Sequence, residues 1–326
     1  MSHELTISPN GKAEMAYVGA TPWHGLGQTL DENATLDEWR VAAGMDWSIN
    51  ASVVQYGAPR VIDGEPTVET LTCKDRVVLY RSDTTAPLAV VSSRYQVVQP
   101  VEALEFFRDM IEAGGYTMET AGTLFGGKRL WALARSGRGF DLPGGDAVND
   151  YILLATGCDG GLATSVRDTA IRVVCNNTLT AALDTKAKHV TVRHSTRFNP
   201  DAVKQKLREV SASFDAFARV AEALARVQVN ARDASSLLAR ILPEPADRPV
   251  EETRGFKRIM ELFDGRGIGA TLPSAEGTAW GLLNAVTQDV DHSTTARTAD
   301  NRLNSAWFGA GDELKSRALQ VLASLV

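Results

Sequence analysis

The sequence predicts an α+β protein with a central, largely antiparallel sheet, packed helices and a helical C-terminal part. Three observations predict it. Two runs with strand character, 116–125 and 128–135, flank the glycine pair Gly126-Gly127, which is a hairpin signal. Further strand-like runs follow through Asp150-Tyr-Ile-Leu-Leu and Ile171-Arg-Val-Val. After residue 231 the pattern turns helical, broken by the Pro-rich stretch 242–249 and by Gly265-Arg-Gly-Ile-Gly. With 326 residues, 44% hydrophobic and 23% charged, the chain can bury a sizeable core.

The chain divides into a strand- and loop-rich part (1–98), a central α+β core (99–230) and a helical part (231–326). In the first part, Thr21-Pro-Trp-His-Gly-Leu-Gly reads as a fixed loop, because Pro and two glycines exclude a helix interior. Thr35 and Glu38 form a capping box for a helix over 36–43, ended by Gly44. Residues 47–54, 76–80 and 88–91 read as strands.

The second part opens with a helix from Pro100. Its face is Leu104, Phe107 and Ile111, and its stop is Gly114-Gly115. After the hairpin, 136–149 reads as a Gly/Asp-rich loop. Next come an apolar strand from Asp150, a Cys158-Asp-Gly-Gly turn, a strand with Arg167, another with Arg172, and a helix near 177–183. Residues 189–194 read as a strand, and a long helix runs from Asn199-Pro-Asp to about Val229. In the third part, helices are expected over 250–264, 274–290 and 312–325, with a short amphipathic one in 301–309.

Several chemistries are excluded or disfavoured. There is no GxxxxGK[ST] loop and no HExxH helix. The Gly265 segment has the wrong spacing for a dinucleotide loop. Cys73, Cys158 and Cys175 lack zinc spacing and fit free thiols in a reducing cytoplasm; Cys175 reads as a buried structural thiol. Cys158 could face His189 or His194, but histidines five apart on a strand point opposite ways. Asp289-Val-Asp-His lacks the third or fourth ligand of a metal site. No cofactor is expected. No apolar run is long enough for a membrane span, and the first residues lack a secretion pattern, so a cytoplasmic location is expected.

The net charge of −6 is unevenly spread. Residues 1–120 hold 8 Lys+Arg against 17 Asp+Glu, whereas 121–230 hold 15 against 10. The candidate nucleic-acid contacts lie in this basic third: Lys128, Arg129 and Arg135 on the hairpin, Arg167 and Arg172 on the following strands, and Arg193 and Arg197 beyond. Trp131 shares a face with Arg129; it is a base-stacking platform if exposed and a core residue if not. Asp150, Asp159 and Asp168 could meet across strands and bind a divalent metal, or could be turn and edge positions.

Motifs along nearly the whole chain resemble the phage/plasmid-like proteins that carry the domain of unknown function 932. They are Thr21-Pro-Trp-His-Gly-Leu-Gly, Tyr95-Gln-Val-Val-Gln-Pro with Glu102-Ala-Leu-Glu-Phe-Phe, Asp150-Tyr-Ile-Leu-Leu, Ile171-Arg-Val-Val-Cys-Asn-Asn-Thr-Leu, Val192-Arg-His, Thr278-Ala-Trp-Gly-Leu-Leu-Asn-Ala-Val-Thr and Trp307-Phe-Gly. The resemblance implies a mobile-element origin and brings no catalytic residues. Where that family often has Ser-His-Asp-Gly, this chain has Gly157-Cys-Asp-Gly. The order helix, hairpin, strands, helix is also similar in outline to phage annealing proteins of the Red-beta type. The expected function is therefore non-enzymatic single-stranded DNA binding or annealing in recombination or replication, with a homo-oligomer as a further expectation. The alternative is a protein-interaction module acting on a host defence or replication protein, suited by the acidic first third.

Overall fold

The computed structural model describes residues 6–8, 11–19, 26–62, 64–174, 177–180, 190–192, 213–294 and 298–326. Its centre is an eight-stranded sheet of order β10-β9-β8-β7-β6-β1-β2, with β11 also on β9. The strands are β1 (Met15–Val18), β2 (Gln28–Leu30), β6 (Thr117–Leu124), β7 (Arg129–Leu142), β8 (Asp146–Gly157), β9 (Thr164–Arg172), β10 (Asn177–Thr180) and β11 (Val190–Val192). Among the described residues of this sheet, β1–β2 pairs in parallel and the other pairings are antiparallel. A second, three-stranded sheet joins β3 (Ile49–Ile62), β4 (Glu65–Arg81) and β5 (Pro87–Ser92). The fold is α+β, as the patterning predicts.

The β6–β7 hairpin turns where glycine permits it. Gly126 and Gly127 both adopt positive φ, at 67° and 93°. From there alternation distributes side chains to two faces. Leu130, Ala132, Ala134, Ile152, Leu154 and Val166 pack against Leu104, Phe107, Met110 and Ile111 of α2 (Pro100–Gly114). Trp131, Leu133, Tyr151, Leu153 and Ala155 face the other way, against Leu303, Trp307 and Phe308 of α7 (Ala299–Phe308). A third cluster seats Val148 and Ala170 against C-terminal helices: α3 (213–224), α4 (Ala231–Ile241), α5 (Arg254–Glu261), α6 (Ala279–Gln288) and α8 (Ala310–Ala323).

Helix α1 (Leu36–Ala42) has both halves of its capping box: Glu38 N–H donates to the Thr35 side chain, and Thr35 N–H donates to Glu38 Oε2 at 2.7 Å. Thr35→Ala is expected to cost about 1 kcal/mol of stability, read by urea unfolding.

Four segments differ from the sequence expectation. The 136–149 loop is instead the far half of a hairpin: β7 runs to Leu142 and β8 starts at Asp146, with Gly139 opposite Asn149 after a register shift. One strand, β9, carries both Arg167 and Arg172. Residues 177–180 form β10 rather than a helix, because they pair with 169–172 on the open edge of β9. The strands read at 47–54 and 76–80 are the roots of a far longer hairpin. The Thr21–His24 and Gly25 part of the fixed loop, the histidines at 189 and 194, and the long helix before 213 lie outside the described residues.

Candidate functional site

The basic residues form no single cluster. Arg167 and Arg172 are five apart on β9 and so point to opposite faces. Arg172 is buried at 1% exposure and is bidentate to Asp146, Nε to Oδ1 at 2.6 Å and Nη2 to Oδ2 at 2.8 Å. It also donates to the Ile268 and Gly269 carbonyls. Asp146 Oδ2 further accepts from Ser274 Oγ and Trp280 Nε1. Arg172 is thus the pin that ties the glycine-rich 265–269 segment to the sheet.

Arg167 serves the other face. It donates to Asp312 Oδ2 at 3.0 Å and to the Trp307 carbonyl at 2.9 Å, and its guanidinium lies 5.1 Å from the Phe308 ring centroid. Arg129 is half-buried and paired with Asp159. Trp131 is 2% exposed and stacks edge-on against Trp307 with centroids 4.9 Å apart. It is a core residue, and the exposed stacking platform is not found. Arg135 is exposed and Lys128 half-buried; neither makes an ion pair among the described residues. Arg193 and Arg197 lie outside the described residues.

The carboxylates named from sequence divide as well. Asp159 is taken by Arg129, whereas Asp150 and Asp168 do meet. Register places Ile152 opposite Asp168 and Asp150 opposite Ala170, so the two acids are diagonal neighbours on one face. They are 1% and 4% exposed. Arg138 donates to Asp150 Oδ2 from Nη2 at 2.6 Å and reaches Asp215 at 3.2 Å. Neither oxygen of Asp168 has a well-formed hydrogen bond among the described residues, although Ser213 is close enough to favour its ionised form. Burial pushes Asp168 well above the usual carboxylate range, and the Asp150 charge pushes it further. Burial raises Asp150 too, against the opposing pull of Ser136 and Arg138. Tyr116 is raised by burial and by both acids. Together these groups form a buried, proton-retaining pair.

Other candidates are internally satisfied. Burial pushes the Cys158 thiol up to about 12, with Asp159 adding to the rise, so it is a poor nucleophile at neutral pH. Asp291 accepts from Lys315 Nζ at 2.9 Å and from Thr178 N at 2.7 Å, and Asp289 pairs with Arg258. Among the described residues, no three His, Cys, Asp or Glu side chains are placed to hold a metal ion. Arg81 is buried between Glu14 and Asp83 and lies over Trp47. A cleft of about 410 Å³ at α7 and α8 has mixed charge, with Arg302, Arg317 and Glu313 on its walls.

What the sequence reading missed is the outer part of the arm, beyond the strands it placed at 47–54 and 76–80. Strands β3 and β4 pair from Ile49↔Arg81 out to Ile62↔Glu65. Beyond the irregularity at Val53/Val54 nearly every residue is exposed, and β5 supports only the root, over 76–80 of β4. Among the described residues, the extensive contacts of β3 are with β4 alone. Asp63-Gly64 between alternating runs was the available signal.

A protein-family model, described as a domain of unknown function (DUF932), matches residues 87–307. The chain belongs to this family. The matched region begins at β5 and ends in α7, so it holds α2, the β6–β7 hairpin, Arg167, Arg172 and the Asp150–Asp168 pair. The arm and strands β1 and β2 precede it. No curated protein and no solved structure matches the chain. No helix of the described residues is long and apolar enough to cross a membrane.

Proposed function

We propose that this DUF932 protein, encoded by a phage or plasmid, is a non-enzymatic binding protein that acts by docking its β3–β4 arm onto another protein. The observation that carries the reading is the arm itself. One face, past the irregularity, presents Gln55, Gly57, Pro59 and Val61 beside Thr72, Thr70, Val68 and Pro66, with no charge among them. Val61 and Val68 are 73% and 71% exposed. Residues 49–81 hold four Lys/Arg against four Asp/Glu, so the arm offers no electrostatic pull on phosphate. Exposed apolar surface of this kind marks protein contact. In this role the chain modulates a host defence or replication protein.

The second reading, single-stranded DNA binding or annealing in recombination, rests on Lys128 and Arg135. They are the two described members of the basic set without an ion pair among the described residues. Two cations without an ion pair among the described residues, beside Arg129, Arg167 and Arg172 all neutralised by aspartates, give a shallow salt dependence, since the slope follows the number of phosphates met.

The deciding experiment combines two readouts on the purified protein. One is anisotropy of a labelled single-stranded oligonucleotide across a salt series. The other is stoichiometric retention of a host protein by the intact chain and by Val61→Lys/Val68→Lys. Retention lost in the variant, with no DNA bound at low salt, is expected. Steeply salt-sensitive DNA binding that disappears in Lys128→Ala/Arg135→Ala would instead select the annealing reading.

A further inference from the structure

We infer that the first partner of the arm is a second copy of this chain, clasped by reciprocal arm exchange; the inference rests on the arm being a protein-docking element. Free-standing two-stranded ribbons are marginal in water, yet nine residue pairs of this one extend past the irregularity. A ribbon of that kind is stable when something covers it. The cover must be present whenever the protein is, and a second copy meets that condition.

Area selects between a foreign partner and a copy. Nine residues at about 3.4 Å each make a ribbon about 30 Å long, and two strands with their side chains span about 10 Å. Each face is then about 300 Å², and the face laid against a partner is the uncharged one, since the other carries Arg60, Glu65 and Glu69. An arm laid on a foreign protein by that face buries about 300 Å² on each side, about 600 Å² in all, which is the range of weak, transient contacts. In a two-fold pair each copy contributes its own arm and the surface that receives the other's. That doubles the figure to about 600 Å² per copy, about 1,200 Å² in all, which reaches the lower bound of a stable interface.

Charge and edge chemistry point the same way. A chain of net charge −6 repels its copy unless the surfaces that meet are uncharged, and the Val61/Val68 face is uncharged. Pro59 and Pro66 lack the N–H that a ladder needs, which guards the ribbon's edges against open-ended strand addition. The uncharged face is left to make the contact, and reciprocal packing closes on itself at two copies.

The test is sedimentation velocity of the full chain from about 1 to 50 μM, beside Val61→Lys/Val68→Lys. Both substituted positions are exposed, so the variant keeps its fold, verified by an unchanged circular dichroism spectrum. The expected result is a wild-type species of twice 35.1 kDa and a variant at 35.1 kDa, with association weakened at least tenfold. A wild-type monomer at the highest concentration overturns the second-copy inference and leaves protein docking to be judged by the host-protein retention. A dimer that persists in the variant also overturns it, because the interface then lies elsewhere.

Discussion

Asp146→Ala is expected to lower stability by about 3–5 kcal/mol, the cost of stripping the partner from a buried charge. The substitution leaves the Arg172 guanidinium at 1% exposure, with the Ile268 and Gly269 carbonyls as its remaining described acceptors. It also orphans Ser274 Oγ and Trp280 Nε1, which both donate to Asp146 Oδ2. The loss spreads because the network joins three elements: β8 through Asp146, β9 through Arg172, and α6 through Trp280. Urea unfolding should show a lower midpoint. Arg172→Met alone should be comparably damaging, since it leaves Asp146 as the unpaired charge. The pair Asp146→Leu with Arg172→Met should recover the part of the loss that comes from an unpaired buried charge, but not the part from Ser274 Oγ and Trp280 Nε1, which stay without their acceptor. Arg135→Ala, on the exposed hairpin end, should change stability by less than about 0.5 kcal/mol. The contrast separates the two arginines that the sequence placed in one basic set.

That set shows where sequence reading stops. Strand identity was legible, because alternation and the Gly126-Gly127 turn are local signals. Arg167 and Arg172 were legible as strand residues but not as ion-paired ones. Their partners, Asp312 and Asp146, lie 145 and 26 positions away and are brought near by helix docking and hairpin register. Trp131 left both readings open until α7 placed Trp307 over it. Residues 177–180 were misread because their local pattern allows a helix, whereas the free edge of β9 supplies hydrogen-bond partners that no local pattern reveals. The 136–149 stretch was misread for its glycines and aspartates. There Gly139 sits against the Val148 carbonyl, and Asp146 is a buried acceptor rather than a turn residue. Asp150 and Asp168 do meet, as one reading of the three aspartates allows, but Asp159 does not join them, because it pairs with Arg129, which stands opposite Gly157.

Asp168→Asn is expected to stabilise the protein at neutral pH and to flatten its stability–pH curve. In the folded chain Asp168 keeps its proton well above the ordinary carboxylate value of 3.8, first because it is buried and then because Asp150 is beside it. In the unfolded chain it releases that proton near 3.8. Between those two pH values the native state binds more protons, so stability falls as pH rises. The contribution is complete below about 3.8 and is lost as pH climbs through the raised native value. The groups facing the pair are Arg138 from β7, Tyr116 just before β6, and Ser213 at the described start of α3. Arg138 is committed to Asp150 and Asp215, so it relieves Asp168 only at a distance. An asparagine removes the charge and keeps the shape, and its amide can donate to Asp150 in place of the Asp168 proton. The gain should be about 1–3 kcal/mol at pH 8, the usual penalty of an unmet buried polar group, and should vanish near pH 4. Thermal unfolding of both proteins from pH 4 to pH 8 measures it. A parallel pair of curves would overturn the prediction, because removing either acid of a coupled pair changes how the other titrates.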